Sequence, residues 1–268
     1  MGRLEGKTGV VLGAAGRGNM GQVIARRLAD EGARVLVAGR HEEELARLAS
    51  EIGGRHALCD ITVEADVRAL AEAAKAWNGR IDIAINATGW GLLTPFLDTT
   101  REELERMSAL QFVGPYQFFQ AMTGAMLDTG GCLIQISSAT ATIMLNDHAA
   151  YMGTKAGVDH VIRCIAHEFG ARGIRANSVS PGLTATPMTA AAQATPGLFD
   201  AFTPSYPLGR VGTSDDIAAA VVWLASDECF MTGQNLQVNG GLTLRRNPTR
   251  EEIGASVAAA IARAQAER

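Results

Sequence analysis

The sequence is short of several things, and each shortage removes a class of protein. Four cysteines stand alone at positions 59, 132, 164 and 229, with no Cys-x-x-Cys pair. That excludes a disulfide framework and a zinc ribbon, and predicts buried thiols in a reducing cytoplasm. Five histidines are scattered. His41 and His56 fall in the first quarter of the chain without ligand company, and His160 and His167 read as structural or interfacial residues, so no metal is expected. There is no apolar run of about 20 residues, which argues against a membrane span, and the opening Met1-Gly-Arg-Leu-Glu-Gly-Lys7 lacks the apolar stretch of a secretory signal. Basic residues are dispersed under a net charge of −4, so no nucleic-acid partner is expected. Low-complexity stretches are also missing.

What remains is a 268-residue chain that is 47% hydrophobic, enough for one large core. Short β-branched runs at Thr8–Gly13, Ala33–Gly39, His56–Asp60, Ile81–Asn86, Gly131–Ser137, Ile174–Ser180 and Gln234–Asn239 alternate with helical patterns. The helical patterns cover about 20–30, 41–51, 62–77, 100–127, 149–171 and 214–226. Apolar strands joined by helical crossovers predict an α/β fold: a Rossmann-type, doubly wound parallel sheet of about seven strands with helices on both faces. Residues 1–244 read as this single domain and 245–268 as its C-terminal helical extension. In the extension, Thr249-Arg-Glu-Glu252 has the form of a capping box. Its helix would pack on its own core, on a neighbouring subunit, or over the site as a lid. Residues 183–210 form a long irregular stretch of the kind that carries function.

The first strand runs into Gly13-Ala-Ala-Gly-Arg17-Gly18-Asn-Met-Gly21 and then a helix. Glycines there let the backbone approach a pyrophosphate, and the helix N-terminus supplies amides and positive potential. An NAD-type site carries an acid about 20 residues later, but this sequence reads Ala38-Gly39-Arg40-His41. Arg40, with Arg17, can pair a 2′-phosphate, so NADP(H) is favoured over NAD(H). Asp60, followed by Ile61, either holds an adenine amino group or caps the helix from Thr62. Asn86-Ala87-Thr88-Gly89 closes the fourth strand at the edge where ligands bind.

Tyr151 and Lys155 lie one helical turn apart and share a face. An ammonium ~4 Å from a phenol at an effective dielectric of ~20 favours the phenolate by roughly 4 kcal/mol. That is about three pH units, which brings the phenol to a useful range. Ser138 in Ile136-Ser-Ser138 can complete a proton-transfer group.

These pieces, in this order, resemble the short-chain dehydrogenase/reductase family along residues 5–244. They are the glycine turn, Asp60, Asn86-Ala-Thr-Gly89, Ile136-Ser-Ser138, Tyr151-Met-Gly-Thr-Lys155, Asn177-Ser-Val-Ser-Pro181-Gly182 and Asn239-Gly-Gly241. The resemblance implies that Tyr151 is the general acid or base, Ser138 orients the substrate oxygen, and Lys155 lowers the tyrosine pKa and holds the nicotinamide ribose. It places the nicotinamide amide near Pro181, Gly182, Leu183 and Thr184, with Thr186 close by. The glycine turn is two residues longer than the family form. Gln111 replaces the family's asparagine, which helps hold a water leading from the lysine to solvent, so Gln111→Asn is expected to preserve or raise turnover.

Trp90, Met144, Leu145, His148, Met188, Phe199 and Phe202 are the candidate substrate contacts, with Leu183 beside them. The reading is an NAD(P)-dependent oxidoreductase that interconverts a largely apolar secondary alcohol and ketone. Its rivals are a 3-oxoacyl-thioester reductase acting on acyl carrier protein or CoA, and a non-catalytic dinucleotide-sensing or scaffold protein. The resemblance also implies a homo-oligomer, a tetramer or a dimer, with interfaces on the helices at 100–127 and 149–171.

Overall fold

A computed structural model describes residues 2–266. Seven parallel strands lie in the order β3-β2-β1-β4-β5-β6-β7. They are β1 (Thr8–Leu12), β2 (Arg34–Gly39), β3 (Arg55–Leu58), β4 (Ile83–Asn86), β5 (Gly131–Ile136), β6 (Ile174–Pro181) and β7 (Asn235–Val238). The order reverses between β1 and β4, where Leu12 pairs with Asn86. Both strands end at that point, which opens a crevice at the carboxyl edge of the sheet.

Each central strand is apolar on both sides because helices cover both faces. One layer holds α1 (Met20–Asp30), α2 (Glu42–Glu51) and α9 (Ser214–Ala225), packed on Val11, Val35, Val37, Ile83, Ile85 and Ile134. The other holds α3 (Glu64–Asn78), α5 (Gly114–Met126) and α6 (Ala149–Phe169), packed on Val10, Leu12, Leu36, Ala84 and Leu133. Residues such as Leu12, Ile83 and Ile85 are wholly buried, each worth about 1.5–3 kcal/mol relative to exposure. The edge strands β3 and β7 are the exceptions. Their residues are exposed or half-buried, because no further strand pairs with their outer sides.

One predicted helix is divided. Instead of an uninterrupted 100–127 helix, α4 (Arg101–Ser108) passes through a π-helical turn, Ala109–Val113, into α5. Pro115 explains the break: it has no N–H to donate to the carbonyl of Gln111, so α-helical bonding cannot run through. The 183–210 stretch is also less irregular than expected. It contains α7 (Ala190–Ala194) and α8 (Leu198–Phe202), packed over a small cluster of Ala139, Phe202, Tyr206 and Leu242. The C-terminal helix α10 (Arg250–Ala266) packs against α8. Its predicted capping box is present, with Glu252 N donating to Thr249 Oγ1 (3.2 Å) and Thr249 N donating to the Glu252 carboxylate (2.7 Å).

Of the four cysteines expected to be buried, Cys164 is exposed on the outer face of α6; the other three are buried and all four are free thiols. Among the described residues, no helix is long and apolar enough to cross a membrane, and no group of His, Cys, Asp or Glu is arranged to hold a metal ion.

Candidate active site

The crevice begins at the glycine turn, where three glycines have separate roles. A Cβ on Gly13 would lie 2.7 Å from the Ala87 carbonyl carbon, so Gly13 lets the ends of β1 and β4 close together. Gly18 has φ +67°, a conformation that favours glycine. A Cβ on Gly21 would lie 2.5 Å from the Gly13 oxygen, so Gly21 lets α1 pack down on the turn. Asn19 caps α1 by accepting from Gln22 N (3.0 Å) and ties the turn with a bond from its amide to Gly13 O (2.8 Å). The Nε2 of the buried Gln22 has no partner among the described residues. A turn that needs glycine at Gly13 and Gly21 and leads into a helix N-terminus suits a dinucleotide pyrophosphate.

At the end of β2, Gly39 packs so closely on Ala15 that a Cβ would meet it at 2.6 Å. This sets the next residue, Arg40, beside the turn that carries Arg17, and both side chains are exposed. Arg40 Nη1 stands 3.8 Å from Asp60 Oδ2. Asp60 caps the following segment, with Oδ1 accepting from Thr62 N (2.9 Å) and Thr62 Oγ1 (2.7 Å). The Ile61 side chain is buried in the core, so only its backbone can serve a ligand. Asn86 is likewise internal: its amide donates to Gln135 Oε1 (2.9 Å) and its oxygen accepts from Thr88. Ala87 N bonds to Leu12 O (2.8 Å), and Gly89 lies against Gln111, Met188 and Lys155.

Ser138, at the end of β5, and Tyr151 and Lys155, on one face of α6, converge beside this crevice. The Lys155 side chain is buried and its Nζ donates to Ile136 O (2.9 Å). It sits 5.6 Å from the centre of the Tyr151 ring. Burial pushes the Lys155 ammonium down to about 8, against the opposing effect of Asp159. Burial also pushes the Tyr151 phenol up to about 12, although the Ser138 hydroxyl favours the phenolate. The net shift of Tyr151 is thus upward, opposite to the direction that the Lys155 charge alone would give. The ammonium points at a backbone carbonyl rather than at the phenol oxygen, and desolvation of the phenolate dominates.

Sequence reasoning missed Thr140, whose hydroxyl lies 2.8 Å from Ser138 Oγ. A second hydroxyl two residues after Ser138 was the available signal. It also missed the role of Tyr206, whose Oη accepts the Leu183 N–H at 2.6 Å. Of the predicted 181–186 contacts, the Leu183 amide is thus already bonded. Gly182 is needed there, because a Cβ would lie 2.4 Å from the Tyr206 oxygen. Thr184 Oγ1 donates to Gly182 O (3.0 Å), and Thr186 N donates to Thr189 Oγ1 (3.1 Å).

Gln111 is buried in the π turn, and its side chain is fully engaged. Its oxygen accepts from Trp90 N (3.0 Å), and its amide lies 3.3 Å from Thr154 Oγ1 and 2.9 Å from Met107 Sδ. It braces the loop after β4 against α6. A shorter asparagine cannot span both sides, which reverses the expectation for Gln111→Asn.

The candidate substrate residues divide. Met188 covers Gly89 and Gly91, and Trp90 stands nearby with the Arg106 guanidinium 4.1 Å over its ring. His148 stacks on Tyr151, with ring centres 4.2 Å apart and planes at 24°. Phe202 is corrected: it is buried against Ala139, Tyr206 and Leu242, beneath the loop rather than in the crevice. Leu145 and Leu183 pack on the same cluster. Met144 is exposed and Phe199 half-buried.

Comparison with known proteins shows what the chain is similar to. Residues 13–243 match the family described as enoyl-(acyl carrier protein) reductase. The D-threitol dehydrogenase of Mycolicibacterium smegmatis is 36% identical over 91% of this chain and 95% of its own length. A short-chain type dehydrogenase/reductase from Mycobacterium ulcerans, a solved structure, superposes with a TM-score of 0.88 at 30% identity, covering 94% of this chain and 98% of its own. A gluconate 5-dehydrogenase from Burkholderia cenocepacia, solved in complex with NADP and tartrate, gives 0.86 at 29% identity over 90% and 97%.

Proposed function

The chain belongs to the short-chain dehydrogenase/reductase family, and on that premise we propose that it interconverts a secondary alcohol and a ketone, with Tyr151 as general acid and base and NADP(H) preferred over NAD(H). The observation that carries this reading is the convergence of Ser138, Tyr151 and Lys155 beside the glycine turn. That NAD(P)-dependent alcohol–ketone oxidoreduction is its reaction class follows from its relatives. The residues and the cofactor preference are our reading.

A bound nicotinamide dinucleotide supplies or takes up the hydride. The chain supplies everything else. Ser138 and Thr140 offer hydroxyls to the substrate oxygen. In reduction, the Tyr151 phenol gives its proton to the forming alkoxide, and in oxidation the same oxygen withdraws it. Lys155, as the buried cation nearest Tyr151, favours the charge that forms there. Asn86 and Gln111 hold the loop from Ala87 to Trp90 in place.

The preference for NADP(H) rests on Arg40 and Arg17. No carboxylate follows β2, and the contact of Arg40 with Asp60 is an exposed 3.8 Å pair of little energy, readily exchanged for a 2′-phosphate. The NADP complex of the gluconate 5-dehydrogenase relative supports the same preference. The mouth lined by Trp90 and Met188 is apolar, which keeps the expected apolar substrate character at the entrance. A thioester reductase would need a basic docking surface. Of the arginines that could form one, Arg101 pairs with Glu105, Arg106 lies over Trp90 and Arg210 is bonded to Asp216; Arg172 is exposed and makes no ion pair among the described residues, and alone it forms no patch.

Exposed Phe112 and Val113 in the π turn and Tyr116 at the start of α5 support a homo-oligomer, and four free thiols suit a reducing cytoplasm. Fluorescence titration with NADPH and NADH, on the parent and Arg40→Ala, tests the cofactor reading. NADPH should bind more tightly, with the difference shrinking in the variant. Tighter binding of NADH by the parent would contradict it. Turnover of a ketone and alcohol panel tests the reaction.

A further inference from the structure

Resting on the alcohol–ketone reading above, we infer that His148 reads a second hydroxyl of the substrate, on the carbon next to the reacting one, by accepting its hydrogen bond at Nε2. The substrate class is then a vicinal diol or an α-hydroxyketone.

The acceptor is fixed by geometry. His148 Nδ1 lies 2.6 Å from the Leu92 carbonyl oxygen. A carbonyl can only accept, so Nδ1 carries the hydrogen, and in the neutral ring Nε2 presents a lone pair. Burial lowers the proton affinity of this imidazole, which keeps it neutral at pH 7. Among the described residues Nε2 has no hydrogen-bond partner, yet it is not among the sealed, unpaired atoms, so it faces reachable space. The imidazole is stacked nearly parallel on the Tyr151 ring. The two rings touch, and from that contact we place the second hydroxyl within reach of both.

The ring is held in that position from several sides. Thr94 N donates to Asp147 O (2.8 Å), which joins the loop after β4 to the segment before α6. Asp147 has φ +61°, a conformation that Asp and Asn tolerate better than other side chains. Its carboxylate is gripped by Arg250 at the start of α10. The buried Asn247 donates to Met144 O (3.0 Å). At its other contact α10 holds the 183–210 stretch, where Ser256 Oγ donates to Gly197 O (2.7 Å) and a Cβ on Gly197 would strike the helix. These C-terminal residues lie beyond the 13–243 family match, yet they brace both walls of the site.

A fixed, neutral acceptor discriminates by what it repels. A hydroxyl satisfies it, a methyl leaves it unpaired, and a carboxylate opposes its lone pair with another. The apolar mouth at Trp90 and Met188 admits the rest of the molecule.

The test compares acetoin with 2-butanone in reduction and 2,3-butanediol with 2-butanol in oxidation. In the parent, kcat/KM should favour the hydroxylated member of each pair by about 10- to 100-fold. His148→Leu should bring that ratio close to one, and His148→Gln, which keeps an acceptor, should restore part of it. Asp147→Asn and Arg250→Gln should each lower the ratio about threefold, through KM, since an exposed ion pair is worth little more. A parent ratio near one would overturn the inference. So would an equal loss on both members of a pair in His148→Leu and His148→Gln, which would make the ring only a support for Tyr151. If cofactor binds but no member of either pair is turned over in either direction, the oxidoreductase reading fails and takes this inference with it.

Discussion

Replacing Asp159 with asparagine removes one charge from the face of α6 that carries Tyr151 and Lys155, while keeping the shape of the side chain. Asp159 Oδ2 accepts from Ser137 Oγ (2.8 Å) and Asn235 Nδ2 (2.6 Å). An asparagine oxygen can keep both bonds. What is lost is the charge that opposes the effect of burial on Lys155. Residues one turn apart on a helix are ~6 Å from each other, and two unit charges at that distance with an effective dielectric of ~20 interact by roughly 3 kcal/mol. That corresponds to about two pH units. Burial holds Lys155 at about 8 with Asp159 present, so the variant's lysine should lose its proton at lower pH. In a kcat/KM–pH profile of ketone reduction, the alkaline limb should move acidward by about one to two pH units. Stability gives an independent check. The folded pKa of Lys155 lies below its unfolded value of 10.5, so burying the cation costs stability at neutral pH, and the cost fades as pH rises from about 8 towards 10.5. Asp159→Asn enlarges that cost only while the parent lysine is charged. The variant should be less stable than the parent at pH 7, and the difference should close above pH 9. An unmoved alkaline limb, with activity lowered equally at every pH, would refute the electrostatic reasoning.

Three other outcomes follow from the same geometry. Gly21→Ala places a methyl 2.5 Å from Gly13 O, so NADPH affinity in a fluorescence titration should fall at least about tenfold, with a stability loss of about 1–3 kcal/mol from overpacking. Gln111→Asn should lower ketone turnover and raise KM, because the shorter amide cannot hold both Trp90 N and Thr154; steady-state kinetics at parent level would show that the brace is dispensable. Arg210 and the capping bonds of Thr213 hold the Asp216 carboxyl well below its ordinary range. That stability is present above the unfolded carboxylate pKa of 3.8 and is lost as pH falls through the lower folded value. Asp216→Asn should therefore lower Tm at pH 7 and by less at pH 3.

The sheet was legible because β-branched runs between glycine turns leave few other placements for seven strands, and most observed boundaries fall within two residues of those expected. The glycine turn, Ser138, Tyr151 and Lys155 were legible because their spacing is local. What the sequence did not reveal depends on distance or direction. The π turn follows from Pro115, but only once α4 and α5 are known to be continuous. The hydroxyl of Tyr206 meets the Leu183 amide, and Arg250 meets Asp147, across long stretches of chain that no local pattern joins. The spacing of Tyr151 and Lys155 shows that they are neighbours; it does not show that the ammonium points at Ile136 O, nor that desolvation outweighs its charge. Phe202 looked like a pocket residue because it is aromatic in a loop, yet the loop has a small core of its own and uses it there.

The most direct test of the central claim is single-turnover hydride transfer from NADPH to a ketone substrate in Tyr151→Phe, with NADPH affinity measured on the same protein. If Tyr151 delivers the proton, transfer should slow by about 10²- to 10⁴-fold while NADPH affinity stays within about threefold, since the phenol oxygen is all that is removed. Transfer at the parent rate with NADPH bound as tightly would contradict the account.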